Sequence, residues 1–344
     1  MIENPDECLH VFVLNVGQGD TTIIVSPKGS VAIIDAMKAT KIRNLLNQLG
    51  NDGNIEHLIV THPHGDHFGG CNNLADADNV EKLKIKKATL APFWHNFGMG
   101  PPTYRQLISR LEKQGTNINF LSGYSRWYPD DVMKTPEGEK YPVIDEDSPF
   151  LEFLGPTNDM VRKLEDAKVF ATNHLSIMSR LTWKKFRMII AGDAQMENWA
   201  FFDDERLLEE KCQVLRAAHH GSKNGTQWER IDRLDPKTII ISSKPESQHK
   251  LPDLVGSSIF TKYDGDDDRF ATITRDSGSI HLKVSSVDAL NASSEGALKF
   301  RMLKDTDPDK AANLSDSTEL TEINNPTNWL SLLQSRMDDL LNIT

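Results

Sequence analysis

Four side chains that can ligate a metal, His62, His64, Asp66 and His67, fall within six residues, directly after the apolar run HLIVT. Imidazoles and carboxylates packed this densely against a buried strand are costly without a shared partner. The fold must therefore bring the end of that strand to an edge where a cation can be shared. Successive residues of an extended chain point to opposite sides, so His62 and His64, two apart, can face one ion together. Asp66 and His67, displaced along the loop, reach a second position. Imidazole and carboxylate at this density suit zinc, or manganese or iron where carboxylates weigh more.

The rest of the chain supplies strands that can end at such an edge. LHVFVLNV, TTIIVS and VAIID are β-branched runs separated by the turn-rich GQGD and PKGS. ATKIRNLLNQLG carries Ile42, Leu45, Leu46 and Leu49 at helical spacing and stops at Gly50. Strand and helix alternate through KATLAPF, Tyr104 to Gln114 and INFLS. Residues 122–148 are polar, rich in Pro and Gly, and read as a long loop or insertion. A second strand-rich block runs from PFLEFLGPT through LSIMSRLTW, FRMIIAGD, CQVLRAAHHGS and TIIISS to ATITRDSGSIHLKV. Two strand-rich halves separated by helices predict an α/β sandwich.

After about residue 286 the composition turns polar around one strand candidate, LKFRML. The chain ends in a helical stripe of Trp329, Leu332, Leu333, Met337, Leu340 and Leu341. That stripe either packs back on the domain or docks a protein partner or a second copy. Three widely spaced cysteines, Cys8, Cys71 and Cys212, give no disulfide framework. No basic leader and no apolar run of membrane-spanning length is present, so a cytoplasmic, membrane-free setting is expected. Fifty acidic against 39 basic residues, a net charge of −11, argue against coating nucleic acid over the whole surface. Two local basic clusters remain as candidate tracks: Lys82, Lys84, Lys86 and Lys87, and Lys184, Lys185 and Arg187.

HxHxDH followed by Gly69-Gly70 resembles the metallo-β-lactamase superfamily over roughly residues 9–285. NVGQGD, VAIIDA, LEFLGPT, IIAGD, AAHHGS and RDSGSI are similar to its ComEC-type branch, the hydrolase domain of DNA-uptake competence proteins and stand-alone relatives. The resemblance implies an αββα sandwich over residues 1–286, with residues 287–344 as a C-terminal linker, short strand and amphipathic helix. It implies a site for two zinc ions, or manganese, held by His62, His64, Asp66 and His67. Asp193 would bridge the two ions and one histidine of the pair His219 and His220, with His220 favoured, would complete the second. His174 stands where many members supply a further ligand and is either that ligand or a loop residue. Asp35 would orient a ligating His from behind. Asp20 lies either near the site or in a turn. His249 is a candidate substrate contact, although the family's His-Pro pair is here His249-Lys250-Leu251-Pro252. His10, His57 and His281 read as structural or solvated.

The activity so implied is hydrolysis by metal-activated water. A phosphodiesterase or nuclease is expected, with Asp66, His219 and His249 contributing to catalysis. A small-molecule ester, thioester or lactone hydrolase is the alternative, and a regulatory subunit acting through the C-terminal helix is another.

Overall fold

The computed structural model describes residues 2, 6–76, 83–91, 101–129, 132–134, 141–143, 148–205, 207–208, 211–226, 228–244, 250–253, 269–292, 298–315 and 318–319. Its frame is two facing sheets. The first contains β1 (Leu9–Val13), β2 (Thr22–Val25), β3 (Val31–Ile34), β4 (Asn54–Val60), β5 (Lys84–Leu90) and β6 (Asn117–Phe120). Beside β1 it continues through β16 (Ile280–Val284), β17 (Lys299–Met302) and β18 (Thr318–Glu319), in the order β18-β17-β16-β1-β2-β3-β4-β5-β6. The second runs β15 (Phe270–Ile273), β14 (Thr238–Ile241), β13 (Val214–Arg216), β12 (Phe186–Ile190), β11 (Met178–Trp183), β10 (Phe150–Gly155) and β7 (Ser125–Trp127). Val132–Lys134 and Tyr141–Val143 pair separately as β8 and β9.

Period-two alternation divides the apolar residues between layers. Leu9, Val11 and Val13 point between the sheets, where they meet Leu151, Phe153, Met188 and Ile190. Phe12, Ile23 and Ile33 point outward under α1 (Ala39–Gln48) and α4 (Pro102–Gln114), against Ile42, Leu45, Leu107 and Leu111. On the far side Ile189, Leu215 and Ile239 pack beneath α6 (Met196–Asp204) and α7 (Trp228–Leu234) through Trp199, Phe202, Ile231 and Leu234. The expected αββα sandwich is therefore formed, and each such buried side chain contributes about 1.5–3 kcal/mol.

Strand direction positions the site. β3, β4, β5 and β6 run parallel, as do β12, β13, β14 and β15. β1 is antiparallel to β2, and β2 to β3, so β1 points the same way as β4. The C-terminal ends of β1, β3 and β4 deliver Asp20, Asp35 and His62 to one edge, and those of β12 and β13 deliver Asp193 and His220.

One expectation about organisation changes. Residues 122–148 are not wholly loop, because β7 forms the edge of the second sheet against β10. The strand candidate LKFRML forms β17, which pairs antiparallel with β16 and extends the first sheet. The stretch after it is tied to the β1–β2 loop, where Asn15 Nδ2 donates to the carbonyls of Asp305 and Thr306 at 2.9 and 3.0 Å. The buried Lys41 Nζ lies 2.5 Å from Asp305 Oδ2. The stripe Trp329 to Leu341, with the docking role expected of it, lies outside the described residues, as does His249. Among the described residues, no helix is long and apolar enough to cross a membrane.

Candidate metal centre

His62 and His64 follow β4 across a tight bend closed by the His64 amide, which donates to the His62 carbonyl at 3.0 Å, and the short helix α2 (Gly65–Phe68) then turns Asp66 and His67 back over the strand end. Asp35 fixes this loop. Its Oδ1 accepts from the Thr61 amide at 2.8 Å, and its Oδ2 from Thr61 Oγ1 and His67 Nδ1, both at 2.7 Å. Asp35 holds a left-handed φ of 58° to do so, a conformation that costs a non-glycine residue about 1–3 kcal/mol and clusters at functional sites. With Nδ1 bonded to a carboxylate, His67 presents the Nε2 lone pair, 3.1 Å from Asp193 Oδ1. Gly70 is required beneath the loop, because a Cβ there would lie 2.7 Å from the carbonyl oxygen of Ala36.

His62 Nδ1 lies 3.2 Å from both Ser176 Oγ and Thr61 Oγ1, which turns Nε2 toward His64 Nδ1 at 3.0 Å and Asp193 Oδ2 at 3.7 Å. Asp193 follows β12, and its amide donates to Ser176 Oγ at 3.1 Å. His220 follows β13. Its Nδ1 donates to the Ser242 carbonyl at 2.9 Å, and Nε2 faces Asp66 Oδ2 at 3.3 Å and Asp193 Oδ1 at 3.6 Å. His219 and His220 are consecutive left-handed residues, with φ of 51° and 53°. This doubled strain swings the two rings apart.

His62, His64 and Asp193 form one group of donors, and Asp66, His67 and His220 a second, each within 4.8 Å internally. His67 Nε2, His220 Nε2 and Asp193 Oδ1 are buried with no hydrogen-bond partner. Three buried lone-pair atoms converging without a donor fit a divalent cation, which satisfies all of them at once.

The electrostatics agree. Burial would raise the Asp193 carboxyl, yet His67, His220 and His62 hold it well below the usual carboxylate range. Burial would likewise raise Asp66, but His220, whose Nε2 lies 3.3 Å away, and the positive field of His67 lower it. Burial, with His67 adding to it, pushes His62 well below the usual imidazole value, leaving a neutral ligand. His67 is the opposite case: burial acts downward, and Asp193 and Asp35 override it and raise the imidazole well above its usual value.

His174 is not brought to either group. Its Nδ1 accepts from the Ala171 amide at 2.8 Å and its Nε2 faces Glu197 Oε2 at 3.1 Å, so both nitrogens are engaged away from the other donors. Its neighbour Asn173 faces the site, with Nδ2 3.1 Å from His219 Nε2. His219 Nδ1 bonds Asn224 Oδ1 at 2.8 Å, and that oxygen also accepts from Ser222 Oγ at 2.7 Å. His219 Nε2 lies 3.8 Å from Asp193 Oδ2. Sequence reasoning assigned no role to Asn173, Ser176, Arg216 or Asn224. Asn173 adjoins His174 and Asn224 lies four residues beyond His220, whereas nothing in VLRAA marks Arg216.

Arg216 is fully buried in β13 and pairs with Asp20 Oδ1. Burial pushes its guanidinium down to about 9, which still leaves it charged at neutral pH. Asp20 itself is buried and lies at the site, since its backbone amide donates to the Asp66 carbonyl at 3.0 Å.

The basic clusters are elsewhere. β5 pairs Lys84 with Asn54 and Leu90 with Val60, so Lys84 lies six residues, about 20 Å, from the end that carries His62. Lys86 is paired with Glu56 at 2.5 Å, and Lys82 lies outside the described residues. Lys184 and Lys185 form the β11–β12 turn, also at the end away from Asp193. Of the two clusters, Lys84 and Lys86 on one strand and Lys184 and Lys185 in the turn lie at the ends away from the metal donors.

The family model of the Metallo-beta-lactamase superfamily matches residues 14–243. The chain belongs to this superfamily. Among curated proteins, this superfamily member is similar to Recombination protein 2 of Haemophilus influenzae, 26% identical over 249 residues that are 70% of this chain and 25% of that protein. ComE operon protein 3 of Bacillus subtilis is 23% identical over 202 residues, 58% of this chain and 21% of that protein. A UPF0173 metal-dependent hydrolase of Cupriavidus metallidurans is 33% identical over 116 residues, 31% of this chain and 36% of that protein. The chain spans between about a fifth and about a third of the length of these relatives. The resemblance to the ComEC-type branch agrees with the second of these matches.

Proposed function

We propose that the chain hydrolyses phosphodiesters with two divalent cations, zinc for preference and manganese as the alternative. The observation that carries this reading is the position of Asp193. Its Oδ1 faces His67 Nε2 and His220 Nε2, while its Oδ2 faces His62 Nε2. One carboxylate is thereby shared between His62 and His64 on one side and Asp66, His67 and His220 on the other. A cation pair held so lowers the pKa of water to about 7 and offsets charge on both the entering and leaving oxygens of an in-line displacement.

The remaining residues orient and move protons. Asp35 and the Ser242 carbonyl keep the protons of His67 and His220 on Nδ1, leaving each Nε2 free to ligate. Asn224 does the same for His219, whose Nε2 stands at the site mouth beside Asn173. His219 is the group placed to exchange a proton with the leaving oxygen.

Nucleic acid is the substrate class this reading favours. A recombination protein among the relatives supports it. So do the exposed Lys223, three residues beyond His220, and Lys244, whose amide lies 3.4 Å from Gln18 Oε1 beside Asp20. The remote position of Lys84, Lys86, Lys184 and Lys185 favours a second reading, a small phosphodiester that needs no basic track. Labelled single- and double-stranded DNA, incubated with the zinc- or manganese-loaded protein and with Asp66→Ala, separates the two. Cleavage by the parent alone, weakening steeply with salt, is the expected result. Hydrolysis of bis(p-nitrophenyl) phosphate without any DNA cleavage moves the reading to small substrates, and loss of neither activity in Asp66→Ala overturns both.

A further inference from the structure

We infer that the buried Asp20–Arg216 ion pair is a positioning device that clamps the two sheets together at the second metal position and sets its geometry. The inference rests on the two-cation reading above.

Asp20 stands behind the donors, not among them. Its Oδ2 lies 3.5 Å from His67 Nδ1 and its Oδ1 3.6 Å from His220 Nδ1. These are the nitrogens turned away from Asp193. The two imidazoles come from different sheets, His67 from the loop after β4 and His220 from the loop after β13. Asp20 itself belongs to the first sheet, on the loop after β1, and Arg216 to the second, in β13 four residues before His220. The pair therefore joins the sheets directly behind the gap that an ion held by Asp66, His67 and His220 must span.

Backbone contacts extend the brace to the third donor. The Asp20 amide donates to the Asp66 carbonyl at 3.0 Å, and the Asp20 carbonyl accepts from Met37 at 3.3 Å. Gly19 permits this approach, since a Cβ there would sit 2.5 Å from the Asp66 carbonyl oxygen. No contact joins Asp20 to His62 or His64 among the described residues, so the brace acts on one position and spares the other.

Arg216 also decides what Asp20 is. Asp20, His67 and Asp193 make a third group of donors within 4.8 Å, so an uncompensated Asp20 would compete as a ligand. Arg216 Nε and Nη2 and both Asp20 carboxylate oxygens have no hydrogen-bond partner outside their ion pair. The pairing offsets the burial of both groups and holds the carboxylate toward β13.

Removing one partner strands a buried charge and endangers the fold, whereas removing both leaves a neutral pair that buried sites commonly tolerate. The test therefore compares the parent with Asp20→Asn, Arg216→Lys and the double variant Asp20→Asn/Arg216→Met. Zinc binding is measured by competition with a chromophoric chelator, cobalt absorption reports ligand geometry, and thermal unfolding of the ion-free proteins reports the fold. The parent is expected to bind two ions. The double variant is expected to melt within a few degrees of the parent, to keep its first ion, and to bind the second about 10–100-fold more weakly. Asp20→Asn should show the same selective loss, and Arg216→Lys, which keeps the charge, should recover most of it. A folded double variant that binds both ions as the parent does overturns the inference, as does a loss shared equally by the two ions. A parent that binds no second ion instead overturns the two-cation reading itself.

Discussion

Replacing Asp35 by Asn keeps the side chain's size and a residue type that tolerates the left-handed backbone, but exchanges one acceptor oxygen for an NH2. The native carboxylate accepts three hydrogen bonds, from the Thr61 amide, Thr61 Oγ1 and His67 Nδ1. With the remaining oxygen on the Thr61 amide, the new NH2 faces His67 Nδ1. The imidazole must then accept there and carry its proton on Nε2, the atom that faces Asp193 Oδ1 at 3.1 Å. An ion can bind only after that tautomer is reversed against a donor. Misplacing such a supporting group costs about 10–100-fold in metal affinity, or about 1.4–2.8 kcal/mol. The ion-free fold should lose about 1–2 kcal/mol through one weakened charge-assisted bond. Chelator competition with zinc measures the first quantity and denaturant unfolding of the ion-free protein the second. Zinc affinity within twofold of the parent, in a folded Asp35→Asn protein, would falsify the assignment of Asp35 as the group that orients His67.

Three further outcomes follow from the same geometry. Gly19→Ala forces a Cβ to 2.5 Å from the Asp66 carbonyl at a φ of +144°; it should lower stability by about 1–3 kcal/mol and weaken the second ion, and unaltered zinc titration would contradict the packing. His174→Gln should keep both ions and lose about 1 kcal/mol of stability, whereas metal analysis showing one ion fewer would return His174 to the ligand set. Burial, reinforced by His10, Arg301 and Lys283, pushes His281 down to about 3. The unfolded chain then binds the extra proton first, so stability is full above the unfolded value of 6.5 and is lost as pH falls from there toward about 3. Between pH 7 and 4.5 the loss should reach about 2–3 kcal/mol, and a His281→Gln protein with the same acid slope would refute this origin.

The metal run is legible in the sequence because its donors are local: a strand end and one short helix place His62, His64, Asp66 and His67 without help from distant residues. Asp193 is legible for the same reason, as the carboxylate that ends an apolar strand. What the sequence leaves open depends on backbone angles that no pattern encodes. His219 and His220 are neighbours of one type, and two left-handed residues decide which ring meets Asp66. His174 and Asn173 are likewise adjacent, and a 3-10 turn over Thr172–Leu175 sends the imidazole to Glu197 and the amide to His219. The position of the lysine runs is not legible because proximity in sequence does not say which end of a strand they occupy. Arg216 is hidden within an apolar strand, where its partner comes from a loop almost two hundred residues earlier. The strand at LKFRML is legible from its alternation, whereas its pairing with β16 depends on backbone bonds that polar flanking residues do not disclose.

Two cations that share one carboxylate both depend on Asp193, so metal counting on Asp193→Ala is the decisive measurement. Elemental analysis after equilibration with zinc, read beside hydrolysis of bis(p-nitrophenyl) phosphate, should give two ions and activity for the parent. The variant should hold at most one ion and hydrolyse nothing measurable. A folded Asp193→Ala protein that retains two ions, or that hydrolyses the diester at the parental rate, would contradict a shared carboxylate at Asp193.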